Sequence, residues 1–131
     1  MGLSRRIKIL IIDDEEIIRL SLQKILKEMG YVETASNGDE ASGMIKKCRY
    51  DLIITDLKMP GLSGLELLAK IKKEGIKSIV IIISAYLSPD IIKKATELGV
   101  FKCIDKPFRM DDFLYIIKEA IEQRVTPTNQ N

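Results

Sequence analysis

The sequence predicts an α/β fold in which a five-stranded parallel sheet carries helices on both faces. Strand-like apolar runs alternate with amphipathic helical segments along almost the whole chain. The runs at 9–12, 52–54 and 79–83 are continuously aliphatic, which is typical of central parallel strands that are covered on both sides. Because the connections are short, each strand, its helix and the next strand should form a right-handed crossover.

The elements follow in a regular order. The predicted strands lie at residues 7–12, 32–35, 52–55, 79–83 and 101–104, and the last of them is the weakest. Each strand is followed by an amphipathic helical segment. The first helical segment repeats apolar residues at helical spacing: Ile18, Leu22, Ile25, Leu26 and Met29. The last segment does the same with Met110, Phe113, Ile117 and Ile121.

Capping residues mark the helix boundaries. Asn37 is predicted to cap the second helix, and Ser63 with Glu66 to form a capping box on the third. Ser88 followed by Pro89 predicts the start of the fourth helix. Three glycines are predicted to end helices as C′ residues: Gly30, Gly75 and Gly99.

Composition excludes several classes of function. The 131 residues are 46% hydrophobic and 31% charged, which fits one domain with a real core. No apolar run is long enough to cross a bilayer and the start does not resemble a signal peptide, so we expect a soluble, cytoplasmic protein. The absence of histidine excludes a Ser-His-Asp triad and a phosphohistidine carrier. The net charge of +2 and the two cysteines indicate neither a nucleic-acid binder nor a disulfide framework.

Reactive side chains follow four of the five predicted strands, at the edge where open α/β sheets bind ligands. They are Asp13 and Asp14 after the first strand, Asp56 after the third, Ser84 after the fourth and Lys106 after the fifth. Taken alone, Asp14 is explained by helix capping, and Ser84 and Lys106 are uninformative. Asp56 precedes a loop, so it has no helix to cap. The convergence of all five residues at one edge indicates a functional site.

Three carboxylates at one edge require a cation. Two like charges about 4 Å apart repel by about 4 kcal/mol at an effective dielectric constant near 20, and one lysine cannot neutralise three acids. Oxygen ligands that leave room for water and phosphate suit Mg²⁺, with Mn²⁺ as the alternative. Asp56 as nucleophile, Lys106 as cation and Ser84 as hydrogen-bond donor supply the remaining parts for phosphoryl transfer.

Four motifs hold these residues, and their order and spacing are specific although each alone is weak. They are Ile-Ile-Asp13-Asp14-Glu-Glu, Ile-Ile-Thr-Asp56-Leu-Lys-Met-Pro60-Gly, Ile-Ile-Ser84-Ala85 and Asp-Lys106-Pro107-Phe108. Together they resemble the receiver domain of two-component response regulators, over residues 7–124. The resemblance implies a doubly wound, flavodoxin-like fold with strand order 2-1-3-4-5 and five helices. It implies a receiver domain at residues 1–124, and the polar residues 125–131 then form a tail or a linker.

The resemblance also implies a role for each site residue. Asp56 is the phosphoacceptor, and Ser84 and Lys106 contact the phosphoryl oxygens. The peptide bond between Lys106 and Pro107 is expected to be cis. The implied metal ligands are Asp14, Asp56, the main-chain carbonyl of Lys58 and, through a water molecule, Asp13.

The function implied by this resemblance is signal transduction without turnover of an external substrate, so the protein is not expected to be an enzyme. A sensor histidine kinase or a histidine phosphotransfer protein donates the phosphoryl group, and the surface of the last two helices then changes. The partner of that surface is a downstream protein or an attached output domain, with a phosphorylation-dependent dimer as an alternative. No membrane or direct nucleic-acid binding is expected. A stand-alone phosphorelay or chemotaxis-like protein and an excised receiver of a DNA-binding regulator or hybrid kinase both stay open.

One position departs from the family pattern. Receivers commonly have Tyr or Phe three residues before the lysine, where this chain has Cys103. The aromatic side chain turns inward when the hydroxyl residue follows the phosphoryl group, and cysteine cannot reproduce that movement. We therefore expect the switch to act through Ser84 and residues 85–88. A small buried strand residue is the preferred explanation of Cys103 over a redox role.

Three other functions are less well supported by the sequence. A flavodoxin-like small-molecule binder needs a phosphate-binding loop after the first strand, where residues 13–16 are all acidic. A phosphatase with an aspartate nucleophile usually has a second acid two residues later, where this chain has Lys58. A non-phosphorylated pseudo-receiver is disfavoured because every acceptor-site residue is present.

Overall fold

Five strands and five helices alternate along the chain in a computed structural model that describes residues 6–125. The strands are β1 (Ile7–Ile12), β2 (Gly30–Ala35), β3 (Leu52–Asp56), β4 (Ile79–Ser84) and β5 (Lys102–Asp105). The helices are α1 (Glu16–Leu26), α2 (Gly38–Lys47), α3 (Gly64–Lys73), α4 (Pro89–Glu97) and α5 (Met110–Val125). All strand pairs are parallel and their order is β2-β1-β3-β4-β5, which confirms the predicted fold.

Two apolar layers hold the helices to the sheet. Alternate side chains of the central strands, such as Leu10 and Ile53, pack on one face with α2, α3 and α4. Their neighbours Ile11 and Ile54 pack on the other face with α1 and α5. The continuous aliphatic runs are explained by this double coverage, because both sides of each central strand are buried. Met110 of the predicted α5 stripe is 40% exposed since it begins that helix.

The predicted helix starts are confirmed. Asn37 accepts a hydrogen bond from the main chain of Glu40 at 2.8 Å, and Ser63 forms a capping box on α3. Ser88 caps α4, and Pro89 stands at its first turn. These caps fix where α2, α3 and α4 begin, directly after the loops at the carboxyl edge of the sheet.

The prediction that Gly30 ends a helix is wrong. Helix α1 ends at Leu26, and Gly30 is the first residue of β2, in register with Ile7. A Cβ atom at Gly30 would lie 2.4 Å from the Ile7 carbonyl oxygen, so glycine here allows β1 and β2 to approach. The other two predictions are confirmed, since Gly75 and Gly99 follow their helices with φ of 71° and 90°.

Residues 126–131, most of the predicted tail, lie outside the described residues, and Val125 is the last residue of α5. The proposed domain boundary near residue 124 therefore stays a prediction. Within residues 6–125 no helix combines the length and the apolar character needed to cross a membrane.

Candidate functional site

The fold brings the predicted acidic residues and the lysine together at the carboxyl edge of the sheet. One carboxylate oxygen from each of Asp13, Asp14 and Asp56 lies within 4.8 Å of the other two. The Lys106 Nζ atom lies 3.1 Å from Asp13 Oδ2 and 3.5 Å from Asp56 Oδ2. Residues from the ends of three different strands therefore form one charged cluster, although up to 93 sequence positions separate them.

Asp13 has no exposed surface, and each of its polar atoms has a partner. Its main-chain N–H donates to the Ala35 carbonyl, and its own carbonyl accepts from Arg19 Nη1 at 2.7 Å. Its Oδ1 accepts from the main-chain N–H of Glu15 at 2.9 Å, and its Oδ2 accepts from Lys106. Burial of a carboxylate requires such compensation, so Asp13 is held in one position.

Asp14 is exposed at the solvent side of the cluster. The N-cap residue of α1 is Glu15, and no side chain caps this helix. The structure therefore does not support the helix-capping explanation of Asp14. Its nearness to Asp13 and Asp56 fits the role of a metal ligand, which stays a prediction.

Asp56 is the last residue of β3 and is 8% exposed. Its Oδ1 accepts from the main-chain N–H of Leu57 at 2.7 Å. Burial, together with the negative charge of Asp13, raises the pKa of Asp56 against the opposing attraction of Lys106. A Cβ atom at Gly64 would lie 2.4 Å from the Asp56 carbonyl oxygen, so glycine lets α3 begin directly beside this residue.

Lys106 lies between the two buried carboxylates, and its peptide bond to Pro107 is cis, as the resemblance implied. Burial alone would lower the pKa of Lys106, because it disfavours the charged form. The hydrogen bonds and negative charges of Asp13 and Asp56 outweigh burial, so the pKa of Lys106 is raised. Lys106 is therefore a fixed ammonium group at neutral pH.

Ser84 is the last residue of β4 and is fully buried. Its neighbour Ile83 pairs in register with Asp56 on β3, so Ser84 lies one position beyond the level of Asp56. The Oγ atom of Ser84 accepts a hydrogen bond from the main-chain N–H of Tyr86 at 2.9 Å. The exposed Lys58 side chain places its Nζ 4.6 Å from the centre of the Tyr86 ring. The loop after β3 and the loop after β4 are thus in contact through these two side chains.

Cys103 lies on β5, half-buried against the layer that α4 covers. Burial, with the nearby charge of Asp105, raises the pKa of its thiol. A thiol whose pKa is raised is poorly reactive. The structure thus agrees with a small packing residue.

The donor set fits Mg²⁺. Three carboxylates supply hard oxygen ligands, and the exposed Asp14 leaves one side open to water or a substrate phosphate. Cysteine and histidine, which would indicate zinc, are absent from this cluster.

A parallel α/β sheet with clustered carboxylates and a lysine at its carboxyl edge is typical of the receiver class of signalling domain. The chain matches the family model of the response regulator receiver domain over residues 9–118. It therefore belongs to the receiver domain family of response regulators.

Several proteins and solved structures are similar to this chain over most of its length. Sporulation initiation phosphotransferase F of Bacillus subtilis is 37% identical over 115 residues, which cover 87% of this chain and 93% of that protein. The transcriptional regulatory protein PdtaR of Mycobacterium tuberculosis is 32% identical over 88% of this chain, but the match spans 57% of its own length. A receiver domain structure from Clostridium thermocellum is 34% identical with a TM-score of 0.82, covering 90% of this chain and 96% of that one.

Replacing Asp56 with Asn should stabilise the metal-free protein at neutral pH by about 1 kcal/mol. The pKa of Asp56 is raised in the folded state, so its contribution to stability is present in acid and lost as pH rises through the folded pKa. The asparagine variant does not undergo that loss. Urea unfolding in the presence of EDTA, from neutral to acidic pH, should show the difference in free energy of unfolding closing in acid.

Glu119→Gln is the matched control, because Glu119 is an exposed acid on α5. Its free energy of unfolding should follow that of the wild type at every pH. An Asp56→Asn variant less stable than the wild type at neutral pH would show that the attraction of Lys106 dominates at this position.

Proposed function

We propose that this protein is a phosphorylation-controlled switch in which Asp56 accepts a phosphoryl group with the help of Mg²⁺. The observation that carries the proposal is the cluster of the Asp13, Asp14 and Asp56 carboxylates, two of which (Asp13 and Asp56) pair with the Lys106 ammonium group. Asp14, Asp56 and the Lys58 main-chain carbonyl would hold the metal directly, and Asp13 would hold it through water. Bound Mg²⁺ supplies charge neutralisation for the carboxylates and the phosphoryl oxygens.

The chemical step is a transfer between two nucleophiles. A carboxylate oxygen of Asp56 forms a bond to phosphorus while the bond from phosphorus to the donor's imidazole nitrogen breaks. The electron pair stays on the imidazole. Lys106 stabilises the negative charge on the phosphoryl oxygens, and the Ser84 hydroxyl, now accepting from Tyr86, is free to donate its own hydrogen.

The site supports a phosphoacceptor better than a phosphatase that acts on external substrates. Two residues after Asp56 the chain carries Lys58, whose exposed side chain lies over the Tyr86 ring. No second acid is available at that place to protonate the leaving group of an external substrate. The phosphoryl group would therefore remain on Asp56 until water or a partner removes it.

The donor and the output belong to the wider signalling system. We assign the donor as a cytoplasmic histidine kinase domain or a histidine phosphotransfer protein. The relatives have names that indicate different outputs. One is a phosphotransferase, and another is the DNA-binding transcriptional regulator NtrC of Salmonella typhimurium, in which the match covers 24% of the length of that protein. The output is thus a downstream protein or an attached domain, with a phosphorylation-dependent dimer as the alternative.

The switch would run from Ser84 to α4. Ser84 Oγ accepts from the Tyr86 main chain, so a serine that turns toward a phosphoryl group releases the loop at residues 85–88. Helix α4 fully buries only Ala95 among its residues, and a cavity of about 560 Å³ lies between its Ile91 and the loop after β3. Few buried contacts and adjoining free space make this helix easy to shift.

Asp56 should be phosphorylated by a small acyl phosphate in the presence of Mg²⁺. Intact mass spectrometry and phosphate-affinity gels would measure the adduct. Asp56→Asn and added EDTA should each abolish it, because one removes the nucleophile and the other the cation. Asp112→Asn, which changes an exposed acid of α5, should label like the wild type. Equal labelling of Asp56→Asn, or labelling that EDTA leaves intact, would contradict the assignment.

Ser84→Ala should uncouple phosphorylation from the movement of α4, whereas Cys103→Ser should leave the coupling nearly intact. In Ser84→Ala, alanine lacks the hydroxyl that would leave the Tyr86 main chain and bind the phosphoryl group. In Cys103→Ser, serine conserves the size of the cysteine. NMR chemical-shift changes at residues 85–98 on adding beryllofluoride and Mg²⁺ would measure this. The reverse pattern, with changes lost in Cys103→Ser and kept in Ser84→Ala, would show that the signal passes through β5.

A further inference from the structure

We propose that Arg19 is a positioning residue for the metal site, acting through the main chain of the loop that joins β1 and α1. This inference rests on the proposed function, since it requires Mg²⁺ at the acidic cluster. It assigns a role to a side chain that is not itself one of the predicted ligands.

Arg19 reaches back along its own helix to the end of β1. Its Nη1 donates to the Asp13 carbonyl oxygen at 2.7 Å, six residues earlier, and the side chain is half-buried. A short hydrogen bond from a charged donor is stronger than one between neutral groups. Among the side chains that the structure describes, those of residues 6–123, no other donates to the main chain of residues 13–15.

Apart from the hydrogen bonds of Asp13, the loop has few restraints. Helix α1 lacks a side-chain N-cap, so its first turn is not fixed in the way that caps fix α2, α3 and α4. The Asp14 carboxylate makes no hydrogen bond or ion pair inside the described part of the chain. Its position therefore depends on the backbone, which the bonds of Asp13 to Arg19 and Glu15 hold on both sides.

Arg19 is also a second cation near the acidic cluster, after Lys106. It could therefore act on a bound metal through its charge or by positioning the ligands, and the two roles have opposite effects on affinity. If Arg19 acted only as a charge, it would repel Mg²⁺, and its removal would tighten metal binding. If Arg19 positions the ligands, its removal would weaken metal binding despite that relief. The direction of the change in Mg²⁺ affinity therefore distinguishes positioning from electrostatics.

The test compares Arg19→Ala and Arg19→Lys with Lys24→Ala. Lys24 is an exposed cation on the same helix, so its replacement removes the same charge without touching Asp13. Isothermal titration with Mg²⁺, and Mn²⁺ binding followed by electron paramagnetic resonance, measure affinity without phosphorylation. Circular dichroism and thermal melting without metal establish that each variant is folded.

We expect Arg19→Ala to bind Mg²⁺ about tenfold more weakly, the lower end of the usual effect of removing a group that orients metal ligands. Arg19→Lys keeps one donor and should recover part of the affinity, and Lys24→Ala should bind like the wild type. Equal or tighter Mg²⁺ binding by both Arg19 variants would overturn the positioning role alone. No Mg²⁺ binding by the wild type would overturn the proposed function as well.

Discussion

The pairing of Lys106 with two buried carboxylates is the interaction on which the rest of the site depends. Asp13 and Asp56 stand at the ends of neighbouring strands, and without a cation between them their burial would carry a repulsion of several kcal/mol. Lys106 compensates part of it, but burial and the charge of Asp13 still raise the pKa of Asp56. Because Asp14 adds a third carboxylate to a cluster that holds one ammonium group, the metal-free site is short of positive charge, which favours binding of a divalent cation.

The surroundings of the site divide into a fixed part and a movable part. The loop after Asp56 is held by the close approach of Gly64, the left-handed turn at Gly61 and the capping box that starts α3. Helix α4 follows the neighbouring strand and has a single fully buried residue. A rigidly held Asp56, the proposed acceptor, beside a weakly packed helix is an arrangement through which a local chemical change can move a distant surface.

Most of the architecture could be predicted from the sequence, because long aliphatic runs and capping residues are local signals. The convergence of Asp13, Asp56 and Lys106 followed from topology, since parallel strands end at one edge. Gly30 was misassigned because a glycine after an amphipathic segment looks the same whether it ends a helix or lets two strands approach. The contact of Arg19 with Asp13 and that of Tyr86 with Lys58 could not be predicted, since both depend on the path of a loop.

A crystal structure of the protein with Mn²⁺ and beryllofluoride, using the anomalous signal of manganese, tests the proposed site most directly. We expect a fluoroberyllate group bonded to a carboxylate oxygen of Asp56, with fluorine atoms contacting Lys106 and Ser84. We also expect a manganese peak coordinated by Asp14, Asp56 and the main-chain carbonyl of Lys58. A manganese peak away from these residues, or an adduct on a carboxylate other than Asp56, would contradict the proposed site.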